Sequence, residues 1–177
     1  MISFISATQK DAPTIVNIGK VSVKEAHLGS CPEEILDEYI SSHYNNEAIK
    51  KELTDTNNIY SIITYNNQPA GFSKIVFNAP HAAINRSNTT KLDRIYLLKE
   101  FQGAKLGYEL LQYNIELAKS NQQSAIWLFT WVGNKKAIDF YTRAGFTTIG
   151  SHDFHVAKDV YNTNHHMLLD FVKPNNT

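Results

Sequence analysis

RIYLLKEFQGAKLGYELL, residues 94–111, is the stretch that decides the fold. Its apolar opening, Ile95–Leu98, reads as the end of a strand, and FQGAKLG (101–107) reads as a short glycine-bearing turn. From Ala104, the residues Leu106, Leu110, Tyr113 and Leu117 form one stripe, widened by Leu111 and Ala118, which predicts an amphipathic helix. Strand, turn and helix in that order make the layout of an anion site. The first N–H groups of a helix lack intrahelical partners and lie at the positive end of its dipole. A glycine just before them lets a phosphate approach the backbone. Gln102 adds a side-chain donor and Lys105 a point charge suited to phosphate oxygens. The alternative is that Gly103 merely permits a tight turn. Two standard phosphate loops are excluded. A Walker loop needs Gly-Lys followed by Ser or Thr, whereas Lys105 lies between Ala104 and Leu106. A Rossmann turn needs three glycines at fixed spacing and an acid at the end of the next strand, and SAIWLFTWVGN ends without one.

Upstream of this stretch, NIYSIITY (58–65) and PAGFSKIVF (69–77) flank Asn66–Asn67–Gln68 and predict a β-hairpin. Residues 78–90 are turn-rich and read as a surface loop before the strand KLDRIYLL (91–98). Earlier still, ISFISA (2–7) is apolar and β-branched enough for a first or edge strand. Asp11 as cap, with Pro13, starts a helix whose apolar positions Ile15, Ile18, Val21 and Val23 run to about His27. Pro32 opens a second helix, PEEILDEYISSHY, with Glu33 and Glu34 in its first turn. NNEAIKKEL (45–53) is a third, short helix capped by an asparagine.

Downstream, SAIWLFTW (124–131) is almost unbroken apolar sequence and reads as a strand covered on both faces. NKKAIDFYTRAG (134–145) is a short helix with Asn134 as cap and Gly145 at the C′ position. FTTIGSHDF (146–154) and NTNHHMLLDFV (162–172) are two more strands, followed by a polar tail, KPNNT. The hairpin requires antiparallel pairing, and the later strand–helix–strand units imply parallel pairing with right-handed crossovers. The expected fold is a mixed sheet covered by helices, of the α/β or α+β class.

A chain of 177 residues suits one domain, 1–177, with a single core. Lysine plus arginine equal aspartate plus glutamate at 17 each, so no excess positive charge is present to neutralise nucleic-acid phosphates. The lone Cys31 excludes an internal disulfide. Asp11 and Pro13 interrupt the N-terminal apolar stretch before it forms a secretory signal. No apolar run approaches the ~20 residues of a membrane span. A cytoplasmic protein without nucleic-acid or membrane partners is the expectation.

RIYLLKEFQGAKLGYELL resembles motif A of the GNAT family of N-acetyltransferases, in which a strand is followed by Q/R-x-x-G-x-G/A and a helix. WVGNKKAIDFYTRAGF (131–146) is similar to that family's motif B, with its N…A…FY…GF pattern. Together the motifs carry the resemblance over roughly residues 58–171. It implies a mixed, splayed sheet of about seven strands flanked by helices, binding acetyl-CoA between the motif A and motif B strands. GSCPEEILDEYISSHYNNEAIKKEL (29–53) and GFTTIGSHDF (145–154) look like the spermine/spermidine acetyltransferase branch. That likeness departs at DVYNTNHHM (159–167), where the branch has an acidic D-x-Q-T-D segment.

The resemblance places Ile95, Tyr96 and Leu97 beside the pantetheine arm of acetyl-CoA. It places Gln102, Gly103, Ala104, Lys105, Leu106, Gly107 and Tyr108 around the pyrophosphate. Lys105 stands where the family carries a glycine; with helical backbone angles it still presents its N–H, so binding is expected to survive. Tyr141 corresponds to a tyrosine that protonates the departing CoA thiolate as general acid. Read from the residues alone, Tyr141 is instead a core aromatic on a stripe with Ala137 and Ala144. Asn134 caps its helix and, by the resemblance, also lies near the pantetheine or thiol.

An alkyl amine resembles lysine, with a pKa near ~10.4, so some group must take a proton from it before attack. Asp93, where relatives of the branch carry glutamate, is the candidate base; a structural aspartate is the other reading. Glu33, Glu34, Asp37 and Glu38 form either a solvated face or an attractor for a polycation. His152, His155, His165 and His166 match no recognised ligand spacing, so no metal is expected. The implied activity is direct acetyl transfer from acetyl-CoA to a polyamine or other small primary amine. A peptide N-terminus, a lysine side chain and an aminoglycoside stand as other acceptors, and a non-catalytic acyl-CoA-binding module as a rival from another class. A homodimer is one assembly open to such a protein.

Overall fold

The Asn66–Asn67 turn adopts positive φ at both asparagines, 49° and 65°, the backbone that lets a two-residue turn follow the twist of its strands. The computed structural model describes residues 1–157 and 159–171. Val172, the expected last strand residue, and the polar tail lie outside the described residues.

The turn joins β2 (Asn58–Tyr65) to β3 (Gln68–Val76), which is preceded by β1 (Ile2–Ser6), α1 (Ala12–His27), α2 (Glu33–His43) and α3 (Asn46–Glu52). After β3 come β4 (Thr89–Leu97), α4 (Leu106–Ser120), β5 (Ala125–Trp131), α5 (Lys135–Arg143), β6 (Thr147–Ala157) and β7 (Val160–Asp170). The element order is the one the sequence predicts. Two starts differ. Asp11 does not cap α1 with its side chain; its carboxylate accepts from the Thr8 N–H at 2.8 Å and the Thr8 hydroxyl at 2.9 Å, closing the turn before the helix. And α4 begins at Leu106, not Ala104, because Lys105 is left-handed at φ 60°.

The strands form one seven-stranded sheet in the order β1-β2-β3-β4-β5-β7-β6. Every pairing is antiparallel except β4 with β5. That parallel seam consists of Thr89–Ala125, Thr90–Ile126 and Lys91–Trp127 alone. Beyond it the strands part: Leu92–Leu97 stays paired only with β3, and Leu128–Trp131 only with β7. The sheet is therefore splayed at its centre.

Alternation along the strands separates two cores. On one face α1, α2 and α3 bury Ile15, Ile18, Leu36, Ile40 and Ile49 against Tyr60, Ile62 and Phe72. On the other, α4 and α5 bury Leu111, Ile115 and Tyr141 against Leu92, Ile126, Leu128 and Met167. Leu106 and Leu110 at the head of α4 cover Ile63 and Ala70. Complete burial of such a side chain contributes about 1.5–3 kcal/mol. These contacts fix the head of α4 over the splayed end of β4.

Candidate active site

A 3-10 turn at Lys99–Phe101 ends β4 and delivers the chain to the head of α4. Gly103 has φ 93° and Lys105 φ 60°, and alternation with left-handed residues turns consecutive N–H groups toward one concavity. Among the described residues, no backbone carbonyl outside α4 accepts from the N–H groups of Gly103, Ala104, Lys105, Leu106, Gly107 or Tyr108. A run of unpaired donors at a helix start is built for an anion. At Gly107 a Cβ would lie 3.1 Å from Leu97 Cδ1, so the missing side chain lets the helix start settle on β4.

The helical backbone expected at Lys105 is not what the structure shows. Position 105 needs a left-handed residue, which is why a glycine fits it, and a lysine held there costs about 1–2 kcal/mol. Its N–H has no backbone acceptor among the described residues, and the residue is exposed. Gln102 also behaves differently from expectation. Its side-chain oxygen accepts from Lys136 Nζ at 2.6 Å, bringing a cation of α5 to the rim of the turn. The lysine pair after Asn134 was the sequence signal for that cation, and periodicity alone gave it no role.

Ile95, Tyr96 and Leu97 all lie on the part of β4 that has left β5. Ile95 and Leu97 pack toward α4, and Tyr96 packs toward the α1–α3 core beside Phe72. The β5-facing edge of this segment is free of strand pairing, so an extended amide-bearing chain has room to bond there. At the end of β5, Asn134 caps α5 through its side-chain oxygen, which accepts from the Ala137 N–H at 3.1 Å. Tyr141, about two turns further along α5, is buried between Phe140 and Phe146. Its hydroxyl has no hydrogen-bond partner among the described residues, yet it is not fully enclosed. Burial pushes this hydroxyl above its ordinary value, so it is protonated at neutral pH.

Asp93 does not join this group. Its carboxylate contacts Lys91 Nζ at 2.6 Å and Lys74 Nζ at 3.1 Å. Burial alone would raise its pKa; the Lys74 and Lys91 charges overcome that and hold it at about 2. So acidic a group is a poor acceptor for an ammonium proton. Lys74 and Arg94 in turn hold Glu52 at 2.7 Å and 3.0 Å. The cluster is a structural tie between α3, β3 and β4.

Of the acidic run on α2, Glu33 and Asp37 pair with Lys24 at 2.9 Å and 2.8 Å. Among the described residues, no set of three or more His, Cys, Asp or Glu side chains is arranged to hold a metal ion. No described helix is long and apolar enough to cross a membrane.

The profile of the acetyltransferase (GNAT) family matches residues 4–146. The chain belongs to that family. Membership makes this acetyltransferase an acetyl-CoA-dependent acyltransferase acting on nitrogen. An uncharacterised N-acetyltransferase of Lactobacillus delbrueckii subsp. lactis is 23% identical over 89% of this chain and 91% of its own. Among solved structures, the PaiA N-acetyltransferase of Thermoplasma acidophilum, in complex with coenzyme A, superposes with TM-score 0.78 at 19% identity. The match covers 97% of this chain and 99% of that one. The ribosomal-protein-S18-alanine N-acetyltransferase of Escherichia coli superposes at TM-score 0.71 and 17% identity, over 100% and 99% of the two chains. The acetyltransferase thus shares its fold with these proteins, and the fold alone does not choose an acceptor.

Proposed function

We propose that the protein transfers the acetyl group of acetyl-CoA directly to a primary amine of a small polycationic acceptor, a polyamine foremost. The observation that carries the donor half is the run of unpaired N–H groups from Gly103 to Tyr108, opening at the splay of β4 and β5. In this reading those donors, with Lys105 and Lys136, hold the pyrophosphate. The pantetheine amides bond to the free edge of Ile95–Leu97, and Asn134 lies beside the thiol. The attacking nitrogen forms a bond to the thioester carbon, the carbon–sulfur bond breaks, and the thiolate takes the Tyr141 hydroxyl proton. No covalent enzyme intermediate is required. Asp93 has a structural part only.

Two features support a small acceptor with several charges. Asn162 of β7 reaches the Ser30 carbonyl at 3.5 Å, so the segment between α1 and α2 crosses toward β7 and narrows access on that side of the sheet. Glu34 and Glu38 have no ion-pair partner among the described residues and are free to attract a polycation. A panel of spermidine, spermine, an aminoglycoside and peptides with free N-termini or lysines, each with acetyl-CoA, tests this by release of CoA thiol. Turnover is expected with the polyamines and not with the peptides. Turnover of the peptides alone overturns the acceptor. Acetyl-CoA at a hundredfold excess over Kd is expected to stabilise the fold by about 2.7 kcal/mol. The absence of any stabilisation overturns the donor site, and stabilisation without turnover of any amine leaves a binding module.

A further inference from the structure

With Asp93 tied into ion pairs, the acetyl transfer read above calls for some other group to take the acceptor's proton. The structure offers another. His27, the last residue of α1, sets Nε2 at 3.2 Å from the Tyr96 hydroxyl, and Tyr96 stands on the free segment of β4. We propose that His27 and Tyr96 form a proton relay that deprotonates the acceptor amine, with Tyr96 touching the amine and His27 acting through it; this rests on the acetyltransferase reading of the site.

The geometry supplies each requirement. Tyr96 is placed to meet the amine because its side chain lies on the α1–α3 side of β4, where the chain between α1 and α2 borders the approach. The His27 ring is half-buried and tilts against the Tyr96 ring at 6.4 Å between centroids. With its own proton on Nδ1, the imidazole accepts from Tyr96 through Nε2. Burial lowers the His27 pKa from its ordinary value, which keeps the ring neutral at pH 7 and ready to accept. The groups that act electrostatically on Tyr96 are Tyr39 of α2, Arg94 and Asp93 of β4, and Tyr141 of α5. None of them shifts His27, whose displacement comes from burial alone. Lys24, Glu33 and Asp37 nearby pair with one another.

The balance closes. The ammonium gives one proton to the Tyr96 oxygen as Tyr96 gives its own to His27 Nε2. The free amine then attacks the thioester carbon. The second nitrogen-bound proton leaves as the amide forms, replacing the proton that Tyr141 gives the thiolate. The products are the N-acetyl amine, CoA thiol and one proton, which the His27 imidazolium releases to solvent.

The test compares wild type with His27→Gln and Tyr96→Phe, using the best amine from the panel. Both variants are expected to lower kcat about 10- to 100-fold. The acid limb of the kcat–pH profile that lies below pH 6.5 in wild type is expected to vanish in His27→Gln. Added imidazole is expected to restore part of the kcat of His27→Ala, which packing loss would not allow. Without substrate, nitrogen NMR of labelled histidine is expected to show a neutral, Nδ1-protonated His27 at pH 7, with that tautomer preference lost in Tyr96→Phe. Thermal stabilisation by acetyl-CoA is expected to stay within twofold in Kd throughout. A His27→Gln enzyme with wild-type kcat and an intact acid limb overturns the relay while leaving acetyl transfer standing. A His27 Nε2 found protonated at pH 7 overturns it independently of any turnover.

Discussion

The two halves of the sheet bury polar side chains in opposite ways. Around β2, β3 and β4, the buried charged groups meet partners. Tyr60 donates to Glu52 at 2.7 Å, Arg94 donates to Tyr60 at 2.6 Å, and Lys74 joins Glu52 to Asp93. Around β5, β7 and β6, His166 is 2% exposed and its Nε2 has no partner among the described residues. It sits in a ring cluster instead, 4.2 Å from the His81 centroid and 4.8 Å from that of Phe129. A paired polar group stabilises what it joins, whereas an unpaired one is tolerated only while uncharged. Among the described residues the strands of the two halves pair only along the Thr89–Lys91 seam, while Ile75 and Leu92 of one half pack with Ile126, Leu128 and Met167 of the other. In the proposed function the site lies where the strands of the two halves part.

If the chemistry belongs to the gap and the halves only frame it, the largest effect comes from a single hydroxyl there. Tyr141→Phe keeps the ring between Phe140 and Phe146 and removes the proton donor. We expect kcat to fall about 10³-fold, with the Kd for acetyl-CoA within about threefold by thermal shift. Unchanged turnover would remove Tyr141 from the role. The next effect tests the unpaired half. Burial, then the neighbouring His81 and His152, bring His166 from 6.5 to about 4. A lowered histidine leaves stability whole above 6.5 and drains it as pH falls toward 4, by on the order of 3 kcal/mol. Thermal midpoints between pH 7.5 and pH 4.5 should drop less in His166→Leu than in wild type, and hydrogen exchange at pH 5 should quicken first in β5, β7 and β6. Parallel slopes in the two proteins would show that His166 is not the source.

The paired half should titrate in a lower window. Asp93 is lowered from 3.8 to about 2, so its contribution is whole above 3.8 and lost as pH falls through 2, about 2 kcal/mol in all. Asp93→Asn is therefore expected to lose about 2 kcal/mol in urea unfolding at pH 7 while kcat stays within about threefold. A tenfold fall in kcat at unchanged acetyl-CoA affinity would restore Asp93 as the base and count against His27.

These differences mark how far the sequence could be read. The strands and helices were legible because each has a clean period: Ile15, Ile18 and Val23 for α1, or the unbroken run that β5 keeps between two covered faces. The sheet's splay followed from the two motifs, whereas the turn at Gly103 and the buried Tyr141 followed from the residues themselves. The rest depended on long-range contacts that leave no local period. Nothing near residue 27 announces Tyr96, which is 69 residues away. Lys136 meets Gln102 across 34 residues, and the carboxylate of Asp93 looks available until Lys74 arrives from a neighbouring strand. Register decides such contacts, and the bulge in β4 pairing between Lys74 and Ile75 is beyond reach of a pattern of apolar residues.

Lys105 gives the smallest and most discriminating test, because its backbone and its charge act in opposite directions. At φ 60° a lysine is strained and a glycine is not, so Lys105→Gly relieves about 1 kcal/mol of left-handed strain. Part of that gain returns as the extra freedom glycine brings to the unfolded chain. Urea unfolding without ligand should therefore show a net stabilisation of about 0.5 kcal/mol. The same change removes an exposed cation from the rim of the N–H run, and exposed charge pairs contribute up to about 1 kcal/mol, so acetyl-CoA should bind two- to fivefold more weakly, and less so at high salt. Stabilisation with unchanged affinity would mean that the side chain points to solvent and only the backbone of residue 105 serves the site. Tighter binding would mean that the strain had been distorting the N–H run, and that the lysine is a burden on the turn rather than a contact.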